Sequence, residues 1–372
     1  MTGPEGYWDR KDLERRLCLT LDFARRALER LAETGYSGPM RPDDSVPPEK
    51  LISETAFLLV AASAPHHCDE VKKRIRDVAE ILIPHARGER MLMGVCLRPS
   101  LALDYAMPHL CLERLGYPDP GFDAVLRQSG ESQARAGHER VPHRMMEQEW
   151  ILGNRRSRLA RHSVLNRPMD LLNGSRDDVY GFTHALMYAT DLNLRPRRLR
   201  RGRTAILAEA DVALARCLDE EDYDLGGEVL LAWPLTGRSW SAAAAFGFRV
   251  LASDSLPAAS YHQIYVMGLL YAATLQRGSL PPRKIAPSAV ARGGASTMLE
   301  FVDTPCSRRW RDEFDRLEAS ERDALAGFLF HVALRRKIRQ RSYGEVNELL
   351  HAAHSFGLTN TPAASQAVEL LQ

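Results

Sequence analysis

The apolar residues of this chain recur at helical spacing almost from end to end, and no segment offers the strict alternation of a half-buried strand. The clearest case is 11–34, where Leu13, Leu17, Leu21, Ala24, Leu28 and Leu31 share one face at i, i+4 and i+7. Gly35 stops that helix, and a loop rich in Pro, Ser and Asp follows. The pattern predicts further helices over 49–63, 69–86, 100–116, 121–137 and 143–160, with Pro84 kinking or ending the one at 69–86. No Asn-Gly or Asp-Gly hairpin joins two β-branched runs. The expected fold is all-α.

Beyond about residue 175 a module repeats. An aromatic helix holding Thr183-His184 is followed by helices over 204–221, 224–236, 240–253 and 259–276. The later polar-lined helices start roughly 35–45 residues after their predecessors, a period typical of stacked helix pairs. Antiparallel pairs that curve far enough close into an α/α toroid or an incomplete α/α barrel, in which inner helices line a central cavity. Residues 277–305 read as a long loop, and 307–318, 320–340 and 342–355 return to helix. A change of composition near 165–175 divides the chain into an N-terminal helical region (1–170) and a C-terminal helical-pair region (171–372), unless the two form one continuous domain.

Composition narrows the function classes. In 372 residues, 45% are hydrophobic and 26% charged, which suits a globular protein with a sizeable core. Fifty basic residues against 48 acidic ones leave a net charge of +2, so no global field argues for nucleic acid. No apolar run approaches the ~18 residues of a membrane span, and the start, MTGPEGYWDRKDLERR, lacks the apolar core of a signal peptide. A cytoplasmic location is therefore expected. Cys18, Cys68, Cys96, Cys111, Cys217 and Cys306 form no close pair, which removes zinc-finger and redox C-x-x-C motifs and leaves buried free thiols. Gly226-Gly227 and Gly293-Gly294 lack the context of a phosphate loop, and no G-x-S-x-G elbow is present. No cofactor is expected.

The densest set of polar residues in an apolar helix is Tyr180 to Asp191. His184, Tyr188 and Asp191 lie at i, i+4 and i+7 on one face, with Thr183 and Thr190 beside them. Burying such groups without partners costs roughly 1–3 kcal/mol each, so they form either a satisfied core network or an acid/base set lining a pocket. Asp224 and Glu228 follow at i and i+4, and Tyr261-His262 open the next helix. His184, Asp191, Asp224, Glu228 and His262 could also hold a metal, but H-E-x-x-H is absent and no E-x-x-H includes any of these residues, and metal-free chemistry is preferred. His66-His67 and His351/His354 read as loop or surface features.

Thr183-His184-x-x-x-Tyr188-x-Thr190-Asp191 resembles the Thr-His-x-x-Phe-Tyr-x-Thr-Asp-Phe-Gly signature of an uncharacterised all-helical actinobacterial family. Asp224 with Glu228, and Tyr261-His262, agree with its downstream elements, whereas Met187, Leu192 and Asn193 depart from it. Only six lysines stand against 44 arginines, a skew that accompanies GC-rich genomes such as those of actinobacteria. The resemblance covers the C-terminal half. It implies natural-product biosynthesis, in some members formation of a strained nitrogen ring (aziridine) by paired helical subunits.

Three arginine clusters, 154–162, 195–203 and 335–341, read as solvated surface, with the acidic 217–224 stretch available to neutralise the second. One arginine is reserved as a contact for an anionic substrate group. The reading from sequence is a lyase or cyclase acting on a small polar metabolite. His184 with Asp191 or Asp224 would move the proton, while Thr183, Tyr188, Thr190, Glu228, Tyr261 and His262 would bind substrate. The expected partners are the substrate and a related helical subunit or second copy, with neither nucleic acid nor membrane. The rival reading is a non-catalytic scaffold or supporting subunit. The two differ in whether the polar residues of 183–191, 224–228 and 261–262 meet in one cavity.

Overall fold

The structure is a computed structural model that describes residues 8–34, 47–64, 67–98, 101–133, 141–153, 161–194, 199–253, 260–286, 292–302 and 307–372. Gly35 and the loop after it, His66, Cys306 and parts of the first two arginine clusters lie outside the described residues.

The first half comprises α1 (Arg10–Thr34), α2 (Pro48–Ala62), α3 (Asp69–Ala86), α4 (Glu89–Leu97), α5 (Ala102–Arg114), α6 (Pro120–Gln133) and α7 (Pro142–Ile151). The second holds α8 (Arg176–Thr190), α9 (Arg203–Asp219), α10 (Tyr223–Leu230), α11 (Ala232–Thr236), α12 (Ala242–Ala252) and α13 (Tyr261–Arg277). The chain ends with α14 (Gly294–Glu300), α15 (Arg308–Asp315), α16 (Ala319–Ala324), α17 (Ala326–Arg339), α18 (Tyr343–Ser355) and α19 (Pro362–Leu371). Among the described residues there is no strand, and the fold is all-α with many packed helix pairs. No helix among them is long and apolar enough to cross a membrane.

Leu13, Leu17, Leu21, Ala24 and Leu28 of the α1 stripe are fully buried and Leu31 at its end partly so, and α1 packs on both α3 and α13. With α2 also against α13, one apolar core runs from Leu13 to Ala367 and draws on both halves of the chain. Local chemistry fixes the helices that matter for the site. A capping box between Ser175 and Asp178 starts α8. Asp222 caps α10 and Ser260 caps α13, each side chain accepting from a backbone N–H three residues on.

Several elements differ from the pattern reading, each for a local reason. Segment 224–236 is two helices, because Pro234 has no N–H to offer the carbonyl of Leu230. Helix α4 falls in a stretch too short and too uniformly apolar to show a period. Helix α7 stops at Ile151, and α14 interrupts the 277–305 loop. His67 lies in the connection between α2 and α3 but is buried there, whereas His351 and His354 are exposed. Cys18, Cys111 and Cys217 are buried free thiols, while Cys96 is exposed. The acid at 219–220 pairs with Arg335, Arg336 and Arg339 of the third arginine cluster, and in the second cluster Arg201 binds buried Glu209.

Candidate active site

Helices α2, α5, α7, α8, α10 and α13 enclose a cavity of about 760 Å³. Its apolar wall includes Phe57, Met107, Met187, Val266 and Leu269, and its polar side converges on Glu228. That size is typical of a small-molecule site.

Glu228 stands near the middle of α10 and is only 5% exposed. The glycine before it makes the position possible. A Cβ on Gly227 would lie 2.6 Å from Cγ1 of Val266, so only glycine lets α10 approach α13 this closely. Oε2 of Glu228 accepts the Thr183 hydroxyl at 2.7 Å and lies 3.4 Å from Nδ1 of His184. Oε1 lies 3.5 Å from Nε2 of His262, whose Nδ1 is 3.0 Å from Oε1 of Glu54 on α2. Burial alone would raise the Glu228 carboxyl, but the His184 and His262 imidazoles and the Thr183 hydroxyl outweigh it and hold the group well below the usual carboxylate range. For His262, burial favours the neutral ring, and the carboxylates of Glu228 and Glu54 overcome it, pushing its pKa up to about 10. The ring is therefore a cation at neutral pH, clamped between two anions.

His184 is held differently. Its Nδ1 lies 3.1 Å from the backbone carbonyl of Tyr180, one turn earlier, and 3.4 Å from the Glu228 carboxylate. Both neighbours are acceptors, so Nδ1 carries the proton and Nε2 presents a lone pair when the ring is neutral. The Tyr180 ring lies against the imidazole with centroids 3.8 Å apart. His143 flanks the pair, and burial, aided by His184 and Arg144, pushes its pKa down to about 4, leaving it neutral. Beside this group, Tyr188 donates to Oε1 of Glu147 at 2.8 Å and Arg144 donates to Oε2 at 2.9 Å. Burial and the Glu147 carboxylate keep the Tyr188 phenol protonated. The arginine side chain is 45% exposed and lines the cavity, as does Lys50.

The residues singled out from sequence thus divide. Thr183, His184, Tyr188, Glu228 and His262 meet at one cavity wall. Asp191 does not join them. It is the left-handed C-cap of α8, and its Oδ1 accepts from both Arg114 (2.9 Å) and the Trp150 indole (2.8 Å) in the core. Asp224 is turned to the α13 cap, where it accepts from Ser260. Thr190 bonds back to the carbonyls of Leu186 and Met187. Tyr261 lies outside the cavity lining, under the Lys50 ammonium.

The partners absent from the sequence reading, Glu54, Arg144 and Glu147, come from the first half of the chain. One signal pointed to the first: Glu54 interrupts the apolar run LISETAFLLVAA.

Among the described residues, one cluster has the spacing of a metal site: His109, Glu113 and Asp123, away from the cavity. Arg87 donates to His109 Nδ1, so Nε2 carries the ring proton and donates to Asp123 at 2.9 Å. With Arg87 at Nδ1 and Asp123 at Nε2, both ring nitrogens are engaged, and the cluster forms a hydrogen-bonded strut between α5 and α6.

The family described as a domain of unknown function (DUF6895) matches residues 19–297, and the chain belongs to that family. The match spans every helix that lines the cavity. No curated protein and no solved structure matches the chain.

Proposed function

We propose that this member of the DUF6895 family is a biosynthetic enzyme that moves a proton on a small polar metabolite by metal-independent acid/base chemistry. The observation that carries the reading is the state of His184: Nδ1 is occupied by a backbone carbonyl and a buried carboxylate, and Nε2 is left as the base. Glu228 orients the ring and stabilises the imidazolium formed on proton uptake, the part a carboxylate plays behind a catalytic histidine. The convergence of three separated polar segments on one cavity favours an enzyme over a scaffold.

The reaction that fits is an elimination or an intramolecular ring closure. In the closure, Nε2 of His184 takes a proton from a substrate amine and the nitrogen lone pair forms a bond to a neighbouring carbon. The bond from that carbon to an anionic leaving group breaks, and its electron pair departs with the group. Arg144 and the His262 cation would hold the departing anion. The resemblance of the Thr183–Asp191 stretch to an actinobacterial natural-product family supports the three-membered nitrogen ring as the product.

The test is mass spectrometry of small molecules bound by the intact protein after exposure to a producer-cell metabolite extract. A metabolite retained by His184→Asn but converted by the wild type, with loss of water or of an anionic group, is the expected result. A metabolite released unchanged by both proteins would remove the catalytic reading.

A further inference from the structure

The charges that line the His184 cavity are unevenly matched. Five carboxylates, those of Glu49, Glu54, Asp104, Glu147 and Glu228, face three cations, Lys50, Arg144 and His262. Each cation is already spent on one of these acids. The Lys50 ammonium is 3.6 Å from Glu54, Arg144 donates to Glu147 at 2.9 Å, and His262 lies between Glu228 and Glu54.

Depth separates the two signs further. The acids are withdrawn, with side chains 5% exposed at Glu228, 10% at Glu147, 19% at Glu54 and 21% at Glu49. Their partners reach outward: Lys50 is 51% exposed, Arg144 45%, and Arg90, which donates to Glu49 from outside the lining, 41%. Arg98, also exposed, donates to the Tyr105 hydroxyl rather than to an acid. Water screens such outer heads, whereas the withdrawn carboxylates act through a medium of lower dielectric. His262 is the one cation of the lining at comparable depth, and it stands between two acids. The field inside the cavity is therefore negative.

Two of the carboxylates also keep unused acceptor capacity. Oε2 of Glu49 and Oε2 of Glu54 are buried with no hydrogen-bond partner among the described residues, although a carboxylate can accept several donors. Both stand on the face of α2 that turns Ser53 and Phe57 to the cavity.

We propose that the cavity takes its substrate as a cation, a primary or secondary ammonium group drawn in among the withdrawn carboxylates. This names the substrate class of the acid/base site and rests on that reading. An ammonium nitrogen carries the proton that Nε2 of His184 takes up. When that N–H bond breaks, its electron pair stays on nitrogen as the lone pair that closes the ring.

The probes are 2-phenylethylammonium, 2-phenylethanol and 3-phenylpropanoate, which share an aromatic body and end in a positive, a neutral and a negative group. They are titrated into the full chain at neutral pH and followed by ligand-observed NMR. The ammonium is expected to bind about tenfold more tightly than the alcohol, and the carboxylate more weakly than either. Glu49→Gln and Glu54→Gln should each weaken ammonium binding roughly threefold or more and leave the alcohol unchanged. Glu49 pairs with an exposed arginine, so Glu49→Gln keeps the test intact should Glu54→Gln, which takes an acid from His262, fail to fold. Glu348→Gln, at an exposed acid of α18 outside the lining, should alter neither affinity. No detectable ammonium binding, equal affinity for ammonium and alcohol, a preference for the carboxylate, or an ammonium affinity that every folded cavity variant retains would each overturn the proposal. The preference is read without turnover and should persist in His184→Asn, so its failure is distinguishable from failure of the acid/base reading.

Discussion

His262 and Glu228 sit on neighbouring helices with Nε2 and Oε1 3.5 Å apart, and each holds the other in its charged form. The consequence for pH is signed. The His262 pKa, near 6.5 in an unfolded chain, rises to about 10 on folding. Its contribution to stability is thus complete below about 6.5 and is lost as pH rises through about 10. Chemical denaturation of the wild type should show stability falling across that window. His262→Gln should be flatter there and less stable at neutral pH by about 3 kcal/mol, because a buried carboxylate loses a partner. An equal slope in both proteins would show that His262 is not charged in the folded state.

On the acid side the governing residue is His331. Both its ring nitrogens are buried without a hydrogen-bond partner among the described residues, and burial pushes its pKa down to about 4. The unfolded chain binds that proton first, so stability is complete above about 6.5 and declines as pH falls toward 4. His331→Leu should remove part of this decline in urea titrations run from pH 7 to 4. Should the variant decline as steeply as the wild type, the acid sensitivity belongs elsewhere, with His143 the next candidate.

Asp191→Asn should cost about 3 kcal/mol of stability, since Arg114 would lose its charge partner in a buried setting. Its effect on ligand binding in the main cavity should be small. His184→Asn should show the opposite pattern, with little change in unfolding midpoint and no turnover. Calorimetry on the two variants separates a structural carboxylate from a working histidine, and a stable but inactive Asp191→Asn would reverse the assignment.

Gly227→Ala should destabilise by roughly 1–3 kcal/mol, the usual cost of overpacking a tight helix contact. Adding Val266→Ala removes the atom the new methyl would meet, 2.6 Å away, and should recover more than half of that loss. A double-mutant cycle with no coupling would show that α10 and α13 are not held apart by this contact.

The boundaries of α3 and, within a residue or two, of α1, α2, α9 and α13 can be read from sequence, because each carries a full amphipathic period and a recognisable start or stop. The polar residues of 183–188, with Glu228 and His262, are legible for a related reason: they stand where the period demands apolar side chains. Asp191 obeys the same logic and is misread by it. Spacing cannot reveal that its helix ends there in a left-handed residue that swings the carboxylate to Arg114. Glu147 and Arg144 stay hidden because α7 is short and mixes charged with apolar residues over fewer than three turns, so its two cavity-facing residues break no clear period.

The site joins distant parts of the chain, and that has a consequence during synthesis. Thr55 on α2 and Tyr265 on α13 share a buried hydroxyl–hydroxyl bond at 2.7 Å across 210 residues of sequence. At ribosomal speeds of about 5–20 residues per second, α2 waits roughly 10–40 seconds for the helix it packs against. Throughout that interval the nascent chain carries Phe57 and the buried leucines of α2 without the α13 side of their cover. The pocket therefore closes late, when α13 docks, and a ribosome pause or truncation before residue 277 leaves a protein with neither a finished core nor a site.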